Sequence, residues 1–176
     1  LQYITVIREK VISELGFYLP LQYRFLRYIE SMFTFHFGYN VGSVLSGPVS
    51  ATIARFAPYT ILLLGGSTVA SFIIGEYLGV FSASRRDKPA DKVSFVTLLF
   101  LYSMPSFWIG MLLLLIFAYY GRFAPTSAAA YLSQFTGPGF YIALLRAMAL
   151  PFISLTLISI GGFYLIMRSS TLEVMN

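Results

Sequence analysis

Two polar features interrupt long apolar stretches of this sequence and are the first candidates for chemistry. Glu76 is the one charged residue in the stretch 58–82. Further along the chain, Ser103, Pro105 and Ser106 stand at the start of the apolar run FWIGMLLLL. An intramembrane carboxylate pairs with or binds a cation, and a proline flanked by hydroxyls frees a backbone carbonyl and offers hydrogen bonds. Both features therefore suit a polar path beside a bent helix.

The sequence lacks the side-chain combinations that catalysis in a membrane requires. The apolar stretches contain neither a serine–histidine pair nor an aspartate, so proteolytic chemistry lacks its groups. The single histidine, His36, and the absence of cysteine make a metal site a poor interpretation. No phosphate-binding loop of the G-x-x-x-x-G-K-[ST] type occurs, so the chain is not expected to hydrolyse ATP. We predict a protein that is not an enzyme and that holds no cofactor or metal.

The composition indicates an integral membrane protein. Of the 176 residues, 57% are hydrophobic and 11% are charged, whereas ordinary globular domains have about 25% charged residues. A water-soluble chain of this size could not bury so much apolar surface. We predict an all-α fold, a polytopic membrane helical bundle of about three transmembrane helices plus an extracytoplasmic helical segment. The transmembrane domain is predicted over 58–176, with spans over about 58–82, 93–120 and 143–167.

The basic residues predict the orientation of these spans. The loop 83–92 contains four Lys or Arg residues, whereas the connection 121–139 contains one. Lys and Arg in short loops favour the cytoplasmic side, so 83–92 is predicted inside and 121–139 outside. Apart from this cluster the positive charges are scattered, so the net charge of +5 does not predict nucleic-acid binding.

The first part of the chain, residues 1–57, is mixed in character and is predicted to be an extracytoplasmic helical segment. Apolar residues recur at helical spacing over 4–15, and glycines favour a loop over 34–47. Pro48 suits the first turn of a short amphipathic helix that ends before Pro58. This last element is predicted to lie at the membrane interface as an elbow helix.

Small residues recur every fourth position along the first predicted span, at Ser67, Ser71, Gly75 and Gly79. Such a stripe lets two helix backbones approach closely. It predicts helix packing, either within the bundle or against a second subunit.

Each polar feature leaves two interpretations open. Glu76 lies about two turns from the cytoplasmic end of its span, so it either pairs with Arg85 or Arg86 or contacts a polar path. The kink at Pro105 is either structural, with the neighbouring serine hydroxyls satisfying the freed carbonyl, or is itself part of such a path.

Four motifs occur in order along the chain: REKVISELGFYLPLQYRFLRYI (8–29), SGPVSATIARFAPYTILLL (46–64), SMPSFWIGMLLLLIFAYYGRFAP (103–125) and MRSSTLEVM (167–175). Together they resemble the membrane-spanning permease subunit of binding-protein-dependent ABC importers, in the dipeptide/oligopeptide class. The third motif is the most specific, because the family commonly carries S-I-P-S-F-W-L-G followed by a G-x-L-P turn. The resemblance covers essentially the whole chain.

The resemblance implies a multi-pass protein of the plasma or inner membrane that moves a hydrophilic solute, with di- or oligopeptides as the leading expectation. It implies three protein partners besides the lipid bilayer: a second permease subunit, cytoplasmic ATP-binding subunits and an extracytoplasmic solute-binding protein. Ser103, Pro105, Ser106 and Glu76 are then candidates for the translocation path. Relatives carry peptides, nickel or oligosaccharides, and nothing in the sequence discriminates among these solutes.

The sequence also departs from the family pattern. Family members usually have another span before the equivalent of Leu1, and an ATPase-coupling loop and two further spans after the equivalent of Asn176. We therefore expect the chain to be a piece of such a subunit. An apolar residue and a proline usually stand at the positions of Glu76 and Tyr77. The alternative function is a small membrane channel or a scaffold that self-associates through its small-residue stripe.

Overall fold

The computed structural model describes Ile12, residues 19–40 and residues 47–175. The chain forms two compact units, Leu1–Pro58 and Tyr59–Asn176. The described residues are helical almost throughout, which confirms the predicted all-α membrane fold. The helix predicted over 4–15 lies almost wholly outside the described residues.

The described residues of the first unit include one complete helix and a short strand pair. Helix α1, Leu21–Phe33, follows Pro20, whose carbonyl accepts the first backbone hydrogen bonds of the helix. The predicted loop 34–47 contains a two-residue strand, β1 (Tyr39–Asn40), that pairs antiparallel with β2 (Gly47–Pro48). The Asn40 side chain also donates to Thr52 Oγ1 at 3.2 Å, which ties β1 to the start of the next helix.

Helix α2, Val49–Ala83, is one continuous helix of 35 residues that contains Pro58. The predicted helix end before Pro58 is therefore wrong, since the segment that begins at Val49 continues through Pro58 as the first part of α2. The physical reason is that a proline removes a single helical hydrogen bond, and apolar helices of membrane proteins tolerate this loss.

The span predicted over 93–120 is two helices rather than one kinked helix. Helix α3 covers Pro89–Ser103 and helix α4 covers Ser106–Leu113. The two are bent by 100° at the break between them. Helix α4 passes directly into a π-helical segment, Leu114–Tyr120.

The last part of the chain contains a short helix and the longest one. Helix α5, Ala128–Leu132, is capped by Ser127, whose hydroxyl accepts the Ala130 N–H at 3.4 Å. Helix α6 covers Gly139–Met175 and runs through Pro151 without ending. Among the described residues, α2 and α6 are long and apolar enough to cross a membrane. Helix α3 and the stretch Ser106–Tyr120, which is α4 with its π-helical continuation, make a third span if the bent pair counts as one.

Helix α6 carries the core of the second unit. Leu98 on α3 packs with Ile160 and Tyr164 on α6 in one buried cluster. Gly161 lies so close to α3 that an added Cβ would meet Tyr102 Cβ at 2.7 Å and the Leu98 carbonyl at 2.9 Å. The C-terminal half of α3 is therefore held directly against the α6 backbone.

Many large apolar side chains on these helices remain exposed, as in a bundle surrounded by lipid. Ile61 and Tyr77 on α2 are each 70% exposed, and Ile142 on α6 is 74% exposed. Lipid tails are as apolar as these side chains, so such surface carries no penalty in a bilayer. The same surface is free for contact with further transmembrane helices.

Candidate functional site

Asp91, in the first turn of α3, is the centre of a buried polar cluster, and it is only 3% exposed. Its two carboxylate oxygens accept parallel hydrogen bonds from Arg168 on α6. Nε donates to Oδ1 at 2.8 Å and Nη2 donates to Oδ2 at 2.9 Å. Bidentate, charge-assisted pairs of this kind are strong and fix the relative orientation of both groups. The pair therefore joins α3 to α6 near the end of the bundle that holds the basic loop.

Two fully buried hydroxyls extend the cluster to α2. The Ser82 hydroxyl donates to Asp91 Oδ1, and Tyr164 Oη lies 2.7 Å from Ser82 Oγ. Because the ionised carboxylate only accepts, the single Ser82 proton points to it and Tyr164 donates to Ser82. The backbone N–H of Asp87 completes the set by donating to Asp91 Oδ2 at 3.2 Å.

The local sequence explains how these groups meet. Only a short turn separates the end of α2 at Ala83 from the start of α3 at Pro89, so Ser82 and Asp91 are kept close. Tyr164 and Arg168 are four residues apart on α6 and so share one helix face. The Arg168 guanidinium also lies 5.0 Å from the centre of the Phe95 ring, one turn further along α3.

Sequence reasoning missed this cluster. Asp91 and Arg168 are 77 residues apart in sequence, and each reads locally as an ordinary charge at the end of an apolar stretch. The available signal was that both charges flank spans on the same predicted side of the membrane. That signal indicates a possible pairing but not the buried bidentate geometry.

The small-residue stripe lies on the buried side of α2. Ser67 and Ser71 are 3% and 0% exposed, and both hydroxyls donate to carbonyls of their own helix. A Cβ added at Gly75 would lie 2.7 Å from the Phe163 Cβ, and one added at Gly79 would lie 2.7 Å from the Met167 Cβ. At these two glycines the α2 backbone packs directly on α6.

Glu76 is half-buried on α2, and among the described residues its carboxylate has no ion pair. The expected pair with Arg85 or Arg86 is absent. Arg85 instead lies 4.0 Å above the Phe81 ring, and Arg86 Nε lies 3.8 Å from Asp87 Oδ2. The reason is distance, since nine residues correspond to about 13 Å along a helix.

The break between α3 and α4 exposes the other three candidates, Ser103, Pro105 and Ser106. Ser103 Oγ donates to the Leu99 carbonyl at 2.8 Å. In a continuous helix the Leu101 carbonyl would accept the backbone N–H of residue 105, which proline lacks. It accepts the Met104 N–H at 3.2 Å instead. The Leu101 carbonyl is therefore satisfied by a backbone N–H and not by a serine hydroxyl, and the Ser106 side chain stays exposed.

The two polar features lie at similar levels along α6. Gly75, next to Glu76, packs against Ile160 and Phe163, while Tyr102, next to Ser103, packs against Gly161. The intramembrane carboxylate and the broken helix therefore occupy a similar depth of the bundle, on two helices that both contact α6.

Comparison with known proteins shows similarity over the part of the chain that contains these residues. Residues 75–176 match the family model described as the inner membrane component of binding-protein-dependent transport systems. The matched residues include the whole Asp91 cluster, Glu76 and the break at Pro105.

Relatives are similar over nearly the entire chain. A Brucella abortus (strain 2308) protein provisionally named a peptide transport system permease protein is 31% identical over 168 residues, which are 96% of this chain and 51% of the relative. The metal-staphylopine import system permease protein of Staphylococcus aureus (strain Mu50) is 29% identical over 92% of this chain and 47% of its own. The oligopeptide transport system permease protein of Bacillus subtilis (strain 168) is 28% identical over 96% of this chain and 52% of its own. The chain spans about half the length of the curated relatives it matches.

Proposed function

Because this chain belongs to the family of inner membrane components of binding-protein-dependent transport systems, we propose that it forms part of the translocation path of an ABC importer. Its solute is a hydrophilic molecule of the di- or oligopeptide class. The peptide assignment is supported by the names of two of the relatives, from Brucella abortus and Bacillus subtilis. The family match supports a multi-pass protein of the inner membrane.

The observation that carries the path assignment is the helix break at Pro105. Irregular backbone at membrane depth persists only where it is buried in protein or lines a water-filled cavity. Here Ser103, Pro105 and Ser106 are exposed in the chain by itself, at a level similar to that of Glu76. In the importer these four residues line the polar path along which the solute passes.

Transport by this chain depends on three protein partners. A second permease subunit supplies the opposite wall of the path, and cytoplasmic ATP-binding subunits supply the energy, since the sequence has no phosphate-binding loop of its own. An extracytoplasmic solute-binding protein delivers the solute. ATP binding then shifts the population between inward-open and outward-open states.

The packing of α2 removes the main support for the scaffold alternative. Self-association requires an unoccupied small-residue stripe on the helix surface. At Gly75 and Gly79 that stripe is already packed against α6 of the same chain.

The test of the function is uptake by the complete importer in proteoliposomes. The full-length subunit is reconstituted with its second permease, ATP-binding subunits and solute-binding protein, and labelled di- and tripeptides are supplied with ATP. We expect uptake that requires both ATP and the binding protein. Uptake of nickel or an oligosaccharide in place of peptides would refute the peptide assignment, and ATP-independent flux would favour a channel.

The orientation is tested by cysteine labelling, for which the cysteine-free chain is a clean background. Ser84 and Thr126 are both exposed, in the loops predicted to lie on opposite sides. We expect a membrane-impermeant maleimide applied to intact cells to label Thr126→Cys and not Ser84→Cys. Labelling of both from one side contradicts the proposed topology, and the unsubstituted chain controls for background.

Pro105→Ala is expected to lower uptake by roughly tenfold, equivalent to about 1.4 kcal/mol of barrier, while membrane abundance stays near wild type. Alanine restores the missing N–H and lets α3 continue toward α4, which withdraws the exposed hydroxyls from the path. Pro58→Ala is the matched control, because Pro58 lies inside a continuous helix. Parallel losses of uptake and abundance in Pro105→Ala would make this proline purely structural.

A further inference from the structure

We propose that the cluster of Ser82, Asp91, Tyr164 and Arg168 makes the adjoining ends of α2, α3 and α6 move as one rigid unit during transport, with Arg168 as its positioning residue. This inference rests on the proposed function, because it assigns the cluster a role in coupling ATP use to solute movement. It adds the residues that join the helices at the predicted cytoplasmic side.

The carboxylate of Asp91, on α3, is bonded from both of the other helices that it joins. Its carboxylate accepts hydrogen bonds from Ser82 on α2, from the Asp87 backbone in the loop, and twice from Arg168 on α6. The side chains of Asp91 and Arg168 are 4% and 21% exposed, so water cannot replace these bonds readily. Sliding α3 against α6 would leave a buried charge without its partner, which is strongly disfavoured. Sliding α2 would remove the Ser82 hydrogen bond from the same buried carboxylate.

The other end of α3 has no comparable cluster among the described residues and is instead the site of the helix break. There the backbone is extended at Met104 and Pro105, and the chain turns by 100°. Hinges are commonly a few residues at the ends of elements, between bodies that keep their internal packing. The Asp91 cluster and the Pro105 break therefore form a rigid unit and an adjacent hinge.

Arg168 lies within α6, and the helix extends past it. Beyond Arg168 the helix continues through Glu173, Val174 and Met175, which are all exposed, with Val174 89% exposed. A displacement of this exposed part of α6 reaches Asp91 directly through the two hydrogen bonds of Arg168. From Asp91 it passes along α3 to the break that we place beside the translocation path.

The experiment measures the distance between two spin labels and the amount of solute carried per ATP hydrolysed, both in the complete reconstituted importer. Spin labels are attached at Ser84→Cys and Ser170→Cys, both exposed positions, and their separation is measured by pulsed EPR with and without trapped ATP. We expect the same narrow distance distribution in both states. A distance that changes between the states overturns the rigid unit.

Arg168→Lys tests the positioning role, because lysine keeps the charge but loses the planar fork that binds both carboxylate oxygens. We expect a broadened distance distribution and a loss of at least about fivefold in solute carried per ATP hydrolysed. Arg85→Lys, in the exposed loop, is the matched control and is expected to leave both readouts unchanged. An unchanged solute-to-ATP ratio in Arg168→Lys overturns the proposal, since a merely structural residue would alter abundance alone.

If Arg168→Lys fails to accumulate, Tyr164→Phe keeps the ring packing and removes only the hydrogen bond to Ser82. We expect it to broaden the same distance and to lower the same ratio to a smaller extent, and wild-type values for both would overturn the proposal. Failure of the rigid-unit proposal can be distinguished from failure of the proposed function. An importer that moves no peptide contradicts the proposed function, whereas the distance measurement still decides whether the cluster is rigid.

Discussion

Gly75→Ala is expected to prevent most of the protein from accumulating in folded form. A Cβ at this position would lie 2.7 Å from Phe163 Cβ, 2.9 Å from the Ile160 carbonyl oxygen and 3.1 Å from the Tyr164 nitrogen. Two of these atoms belong to the α6 backbone and cannot rotate away, so α2 and α6 must separate. Overpacking typically costs about 1–3 kcal/mol, and we expect a loss at the upper end of this range.

The measurement is the yield of monodisperse protein and its thermal midpoint in detergent, compared between Gly75→Ala and Gly65→Ala. Gly65 lies on the same helix, and an added Cβ there meets nothing within 4 Å. Alanine also has the better helix propensity, so Gly65→Ala is expected to equal or exceed wild type in stability. Equal yields and midpoints for the two variants would contradict the close approach of α2 and α6.

Asp91→Asn is expected to lower the free energy of unfolding by about 3 kcal/mol. The substitution preserves the size of the side chain but removes the charge that balances the Arg168 guanidinium, whose side chain is 21% exposed. Removing one partner of a buried ion pair costs about 3–5 kcal/mol. We take the lower end because the guanidinium keeps its contact with the Phe95 ring and reaches some solvent.

Asp87→Asn is the matched control, since it makes the same chemical change four residues away. The Asp87 side chain is 89% exposed, and its nearest cation is Arg86 at 3.8 Å, a surface pair of the kind that contributes little. Its backbone φ of 65° is one that asparagine also adopts readily. Unfolding in SDS titrations should separate the two variants clearly, and coincident curves would contradict a buried Asp91–Arg168 pair.

The membrane class, the helical fold and the approximate positions of the apolar helices followed from the sequence. These properties depend on composition and on the length of apolar runs, which local residue types carry by themselves. The family resemblance, built on motifs such as SMPSFWIG, is confirmed by the match over residues 75–176. The fold class and the family resemblance both depend on residues that are neighbours in the sequence, so neither requires knowledge of distant contacts.

Helix ends were less predictable, as the prolines of the apolar helices illustrate. Pro58 and Pro151 lie inside continuous helices, whereas the chain turns by 100° at Pro105. The local effect is the same at each, a missing N–H and a clash with the preceding turn. Whether the helix continues depends on the packing of the flanking turns, which the residue type does not determine.

The spacing of Ser67, Ser71, Gly75 and Gly79 was visible in the sequence, because periodicity reports which residues share one helix face. The partner of that face, α6, was not, and neither was the bond between Asp91 and Arg168 across 77 residues. Such contacts depend on how separate helices pack together. The sequence by itself determined the apolar helical segments and the small-residue face of α2, and only the tertiary structure decided where helices break and which faces and charges meet.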